Sequence, residues 1–171
     1  DNENTLAGIF REAPMLIATH CENTPMIKLL EDAAREKYGE DVPAWEHANI
    51  RSADACYASS SLAVELAKKY QAKLHVLHIT TAKELSLFTA STDLSELASK
   101  NITAEVCAHH LFFNQADYNR LGHLIKCNPS IKTATDQQAL LAAVNSGVIY
   151  IIATDHAPHT WQEKQNSYFK A

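Results

Sequence analysis

The stretch Val148-Ile149-Tyr150-Ile151-Ile152-Ala153-Thr154-Asp155-His156-Ala157-Pro158-His159-Thr160 decides the fold. Its first six residues are apolar and rich in β-branched side chains, which predicts a buried strand over 148–153. Asp155 stands just past that strand and His159 follows four positions later, with Pro158 stiffening the turn between them. The pattern puts a carboxylate and an imidazole at the mouth of a parallel sheet or barrel, where α/β enzymes keep their chemistry. Taken alone, the same residues fit better as a helix-capping Asp and a loop His. The other histidines of the chain change that balance.

Outward from this stretch, strands alternate with helices. Met15 to Thr19 predicts a short strand ending at His20. Thr24 is the expected cap of a helix with Pro25 at its first position, and Gly39 stops it. Ser52 is placed to cap a second helix, with Leu62, Leu66 and Tyr70 at helical spacing. Lys73 to Leu77 predicts the next strand, ending at His78, and Thr80 or Thr81 opens a helix through Phe88. Ile102 to Ala108 is strand-like and runs into His109 and His110, and Ile125 to Cys127 is an extended piece. Thr135 is the expected cap of a helix ending near Gly147. Strand–helix alternation implies a parallel sheet with right-handed crossovers.

Three strand ends thus carry His20, His78 and Asp155. Alternation puts Leu16, Ala18 and His20 on one face. It does the same for Leu74, Val76 and His78, and for Ile149, Ile151, Ala153 and Asp155. Each row of apolar side chains is expected to point into a barrel and to end in a polar group. Neutral imidazole and carboxylate are the ligands of catalytic zinc, which acidifies a bound water to near neutrality. A single His at a strand end is more often a hydrogen-bonded core residue. Three such positions in one pattern favour a metal site.

Composition sets the outer bounds. The chain has 171 residues, 46% apolar and 20% charged, and so belongs with globular domains. Its net charge of −5 argues against a nucleic acid or a membrane surface as main partner. No apolar run is long enough to cross a bilayer, and no signal-peptide pattern opens the sequence at Asp1. Cys21, Cys56, Cys107 and Cys127 form no CxxC pair and suit buried thiols of a cytoplasmic protein.

At this point the sequence resembles the dihydroorotases of the amidohydrolase superfamily. The segments that carry the likeness are Ile152 to Thr160 with Glu163-Lys164, Leu77-His78-Ile79-Thr80-Thr81-Ala82-Lys83-Glu84, Glu105-Val106 through His109-His110-Leu111, Lys126-Cys127-Asn128-Pro129, and Ala18-Thr19-His20-Cys21-Glu22. They occur in family order over nearly the whole chain. The resemblance implies that His20 and His78 hold the second of two zinc ions. It implies that Asp155 binds the first and moves the proton from the hydrolytic water to the leaving nitrogen. Asn128 and His159 match residues that bind dihydroorotate, a small-molecule substrate. His109 and His110 match positions of structural or supporting role, and His156 a turn hydrogen bond. His47, His75 and His123 are expected on the surface or in packing, and Cys21 as a packed residue. The resemblance further implies a homodimer and leaves open an association with aspartate transcarbamoylase.

Departures bear on this. Asn128-Pro129-Ser130-Ile131-Lys132 stands where the family has Asn-Pro-Pro and an Arg, and Ala108 replaces a Pro. Ile50-Arg51-Ser52 stands where many members have Ile-Arg-Pro. The His-x-His pair that binds the first zinc is absent, as are the Lys or Asp that bridges the metals and the early-strand Arg and Asn that grip the substrate. These absences give the expectation of a fragment. Residues 1–171 would be the C-terminal half of a partial (β/α)8 TIM-type barrel, strands five to eight with their helices, a poor catalyst alone. Two other functions fit the same residues. One is a non-catalytic dihydroorotase-like scaffold for aspartate transcarbamoylase, and the other is a hydantoinase or allantoinase.

Overall fold

The computed structural model describes residues 2–91 and 93–171. Four strands form one parallel sheet in chain order: β1 (Ile17–Thr19), β2 (Leu74–Val76), β3 (Ile102–Cys107) and β4 (Ile151–Ala153). Parallel neighbours require crossovers, and helices supply them. Thr24–Tyr38 and Ala53–Tyr70 join β1 to β2, Ala82–Leu85 and Leu94–Ser99 join β2 to β3, and Ala108–Phe112 and Ala134–Asn145 join β3 to β4. This is the expected α/β architecture.

Register fixes which side chains share a face. Ile17 pairs with Leu74 and Leu74 with Ile102, while Val106 pairs with Ile152. Leu74, Val76, Ala104 and Val106 lie in the main core with Ala63, Val64 and Ala67 of one helix and Leu140 and Ala143 of another. The opposite face carries Leu16 and Ala18, both exposed, then His75, Thr103, Glu105 and Cys107. There His75 hydrogen-bonds Thr103 Oγ1 at 2.8 Å and Glu105 Oε2 at 3.2 Å.

This corrects the expected face assignment. The row Leu74–Val76 points to the helices, whereas Leu16–Ala18 points away from them, so the two rows do not share a face. His78 still comes to His20, because its backbone leaves the extended region at φ 38°. Asp155, at φ 44°, breaks alternation in the same way.

Two helix starts also differ from expectation. Asn23, not Thr24, caps the first crossover helix by accepting from Met26 N at 3.0 Å. Asx side chains cap well because their oxygen reaches the free amides of the first turn. Thr133, not Thr135, caps Ala134–Asn145 through a reciprocal pair with Asp136. Tertiary structure selects that register, since the other Asp136 oxygen accepts from Ala82 N at 2.8 Å, tying the helix to the loop after β2. The caps at Ser52 and Thr81 are as expected. Gly147, at φ 73°, follows the last long helix, and a Cβ there would sit 2.4 Å from Ser91 O. Only glycine allows the close approach in which Ser91 N donates to Gly147 O.

His47 is a packing residue, and it joins distant parts of the chain. It is buried, its Nε2 donates to Cys127 O at 2.8 Å, and its Nδ1 accepts from Tyr168 OH at 2.7 Å. The neutral ring with its proton on Nε2 satisfies both nitrogens. Burial pushes its pKa down from 6.5 to about 3. The unfolded ring therefore binds a proton that the native ring refuses. Stability from this group is complete above pH 6.5 and is lost as pH falls toward 3, at up to about 1.4 kcal/mol per pH unit. Urea unfolding measured between pH 7 and pH 4 should show that fall, and His47→Gln should make it shallower; an unchanged slope would assign the acid sensitivity elsewhere.

Candidate active site

The C-terminal ends of the four strands lie side by side, and each delivers polar groups. Past β1, His20 Nε2 sits 3.0 Å from Glu22 Oε2. Past β2, His78 Nε2 lies 3.0 Å from His20 Nδ1, with the two rings edge to face. Glu22 is buried and also paired with Arg51. Burial raises its carboxyl pKa, but the contacts with His20 and Arg51 outweigh that and leave it below the ordinary value. An ionised Glu22 only accepts, so it fixes the proton of His20 on Nε2 and leaves a lone pair on Nδ1. That lone pair faces His78. His78 is buried, and its Nδ1 has no hydrogen-bond partner. Burial and the neighbouring His20 lower its pKa, while the charge of Asp155 acts in the opposite sense.

Past β4, Asp155 reaches a cavity of ≈ 760 Å³ that it shares with His109, Asn128 and His159. His159 Nδ1 stands 3.7 Å from Glu163 Oε2, and both side chains are half exposed. The chain segment that forms the rim is capped by Thr160 through a reciprocal pair with Glu163. Lys126 and Lys164 line the same cavity. Lys126 Nζ donates to Tyr168 O and to Ala171 O, each at 2.7 Å, and Lys164 Nζ donates to Lys126 O at 2.7 Å. Burial and the second lysine push Lys126 down to about 8.

The structure therefore brings His20 to His78, and places Asp155 with Asn128 and His159. The ligand atoms of His20, His78 and Asp155 do not close into one tight trio. Among the described residues, the close group of three metal-capable side chains is Cys107, His109 and His110, whose ligand atoms lie within 4.8 Å of one another. The sequence alone points to no role for Glu22 or Arg51, and to Cys107 only as a buried thiol. Glu22 had a usable signal, an acid two positions after a strand-end His. Arg51 meets it only across the fold.

No family model matches the chain. Individual proteins do. A curated dihydroorotase from Methanosarcina mazei is 33% identical over 167 residues, which are 96% of this chain and 35% of that protein. The chain thus spans about a third of the length of the curated relatives it matches. A crystal structure of D-hydantoinase superposes with a TM-score of 0.84 at 19% identity, covering 99% of this chain and 38% of its own. Dihydroorotase from Saccharomyces cerevisiae, in complex with 5-fluoroorotic acid, superposes with a TM-score of 0.57 at 17% identity, covering 98% of this chain and 59% of its own. These two likenesses show a shared fold, a parallel sheet with helical crossovers.

The His20–Glu22 contact yields a test. A carboxylate that orients a ligating imidazole strengthens metal binding about 10–100-fold. For a divalent ion held by His20, Glu22→Gln should weaken binding by that factor in equilibrium dialysis, with circular dichroism unchanged. Parental affinity in the variant would place Glu22 outside the metal-binding apparatus.

Proposed function

The chain is related in sequence to the dihydroorotases over nearly its whole length, and from that premise we propose that it contributes the active-site half of a cyclic amidohydrolase. In this reading residues 1–171 form strands five to eight of a (β/α)8 barrel, the C-terminal half of the catalytic domain. The reaction is the reversible interconversion of (S)-dihydroorotate and N-carbamoyl-L-aspartate in pyrimidine biosynthesis. The observation that carries it is the convergence of Asp155, Asn128 and His159 on one cavity, on a sheet whose strand ends also bring His20 to His78.

The donor set suits a divalent metal. Two imidazole nitrogens bound to one tetrahedral zinc lie about 3.3 Å apart, given bonds of about 2.0–2.1 Å. The facing nitrogens of His20 and His78 are 3.0 Å apart, and Glu22 already holds His20 in the ligating tautomer. His20, His78 and Asp155 would hold zinc, which when bound polarises the ring carbonyl and acidifies the attacking water.

The residues of this chain do the rest. Asp155 takes the proton of the attacking water as the new C–O bond forms. It returns that proton to the ring nitrogen as the C–N bond breaks. In the synthetic direction the same carboxylate carries the proton back. Asn128 offers an amide to the polar edge of the ring, and His159 binds the substrate carboxylate at the rim. Lys126 and Lys164 add positive charge to the wall that an anionic substrate meets. The hydantoinase likeness lies in fold alone, at 19% identity, whereas the sequence relatives are dihydroorotases.

Kinetics on the complete enzyme test this assignment. Asp155→Asn removes a charged ligand and the proton carrier, so kcat should fall by about 10²–10⁴-fold or more. His159→Ala should raise KM for dihydroorotate with a smaller loss of kcat, because holding the carboxylate also places the ring carbonyl. Near-normal turnover in Asp155→Asn would refute the mechanism. Unchanged constants in His159→Ala would remove that residue from the substrate site.

A further inference from the structure

The end of β3 carries a group of side chains for which the proposed reaction has no use. Cys107, the last residue of β3, is fully buried, and His109 and His110 follow it on the short helix Ala108–Phe112. A ligand atom from each of the three lies within 4.8 Å of the others, and the two imidazole rings are 4.2 Å apart between centroids.

His110 is prepared for ligation. It is buried, and its Nε2 lies 3.1 Å from Pro129 O. A carbonyl only accepts, so the proton sits on Nε2 and Nδ1 keeps its lone pair. That Nδ1 is a buried nitrogen with no hydrogen-bond partner. A ring N–H donated to a backbone carbonyl is the arrangement that orients ligating histidines. Burial, and the neighbouring His109, keep His110 well below the ordinary imidazole pKa, so the lone pair is not lost to a proton near neutrality. Burial also lowers His109. Access comes through His109, which is half-buried and lines the cavity that Asp155 enters.

We propose that Cys107, His109 and His110 form a second cation site, separate from the His20–His78 pair and selective for soft divalent d¹⁰ ions. One thiolate with two neutral imidazoles is a donor set that zinc and cadmium accept in tetrahedral geometry, leaving a fourth position open toward the cavity. Oxygen-seeking ions such as Mg²⁺ are disfavoured by it. Ligand atoms around a zinc lie about 3.3–3.6 Å apart, so three groups within 4.8 Å of one another close on an ion by small side-chain shifts. Binding forms a sulfur–metal bond and breaks the S–H bond of Cys107, whose proton leaves to water. Burial, and the charge of Asp155, push the Cys107 thiol up, so the ion has to displace a firmly held proton. The site does not depend on the dihydroorotase reading, because none of its three residues acts in that reaction.

Cadmium is the probe, since a thiolate bound to it absorbs in the ultraviolet and a nitrogen–oxygen site does not. Titration of the purified protein with Cd²⁺ should produce a saturable charge-transfer band. The band should persist in His20→Ala and in Cys127→Ser, and vanish in Cys107→Ser. His109→Ala, at a half-exposed position that tolerates truncation, should weaken Cd²⁺ binding about tenfold or more, the scale at which even a supporting partner of a metal ligand acts. Should Cys107→Ser fail to fold, ¹¹³Cd NMR of the unsubstituted protein decides, with a resonance in the range of one sulfur and two nitrogens expected. No band in excess Cd²⁺, a band that survives Cys107→Ser or is lost in Cys127→Ser, unchanged affinity in His109→Ala, or a cadmium resonance typical of oxygen and nitrogen ligands alone would each overturn the proposal.

Discussion

The backbone reversal at His78 is the constraint on which the strand-end chemistry depends. A non-glycine residue at φ 38° costs about 1–3 kcal/mol. Regular alternation would send the His78 ring to the helix side with Leu74 and Val76. The reversal turns it to His20 instead. Neighbouring contacts hold the strained residue on both sides: Leu77 N donates to Thr19 O at 3.1 Å, and Ile79 N donates to Glu105 O at 2.8 Å. Directly after it, the buried Glu84 carboxylate accepts from Thr81 Oγ1 at 2.8 Å and Ser60 Oγ at 2.6 Å. The sheet thus extends its pairing past the last regular strand residue and spends that pairing on one side chain's direction. Asp155, past β4, shares the positive φ, at 44°.

Burial determines the state of the groups so placed. His47, His78 and His110 are all withdrawn from water, and each is driven toward the neutral ring. What differs is the fate of the second nitrogen. In His47 both nitrogens are satisfied, by Tyr168 and by Cys127 O, and the ring is a structural cross-link. In His78 and His110 one nitrogen is left without a partner in the interior. A buried polar atom with no partner costs about 1–3 kcal/mol, and such atoms cluster where a ligand completes them. The same neutral imidazole therefore serves as a fastener in His47 and keeps one unpartnered nitrogen in His78 and in His110. Neighbouring carboxylates and carbonyls, not the histidines themselves, make the distinction.

The two faces of the sheet divide the labour. The helix face is a dry packing of Leu74, Val76, Ala104 and Val106 against two long helices, and it fixes where the strand ends lie. The other face carries His75, Thr103 and Glu105 joined by hydrogen bonds, with Leu16 at 55% exposure just before the edge strand. Cys107 stands at the top of this second face. The cavity is built beyond the strands, by the 154–161 segment and residues 124–128 folding toward each other across His109.

The sequence by itself determined the alternation of strand and helix, and with it a parallel sheet whose strands are followed by His20, His78 and Asp155. Periodicity and capping residues suffice for that, because each element is specified by its own few residues. Local pattern went wrong at two helix starts, Thr24 for Asn23 and Thr135 for Thr133, where capping residues stand close together. The contact of Asp136 with Ala82 settled the second choice from outside the helix. Local pattern also overran the last strand, which is the largely exposed Ile151–Ala153 and not a buried run over 148–153, and the helix after Thr81, which ends at Leu85 and not Phe88. Only tertiary structure decided which face each strand end presents, because a single positive φ reverses a side chain and leaves no periodic trace in the sequence. It alone supplied Glu22 with Arg51, set Asn128 across from His159, and closed Cys107 onto His109 and His110. Those groupings arise from register and crossover packing between segments far apart in the chain, which no run of neighbouring residues encodes.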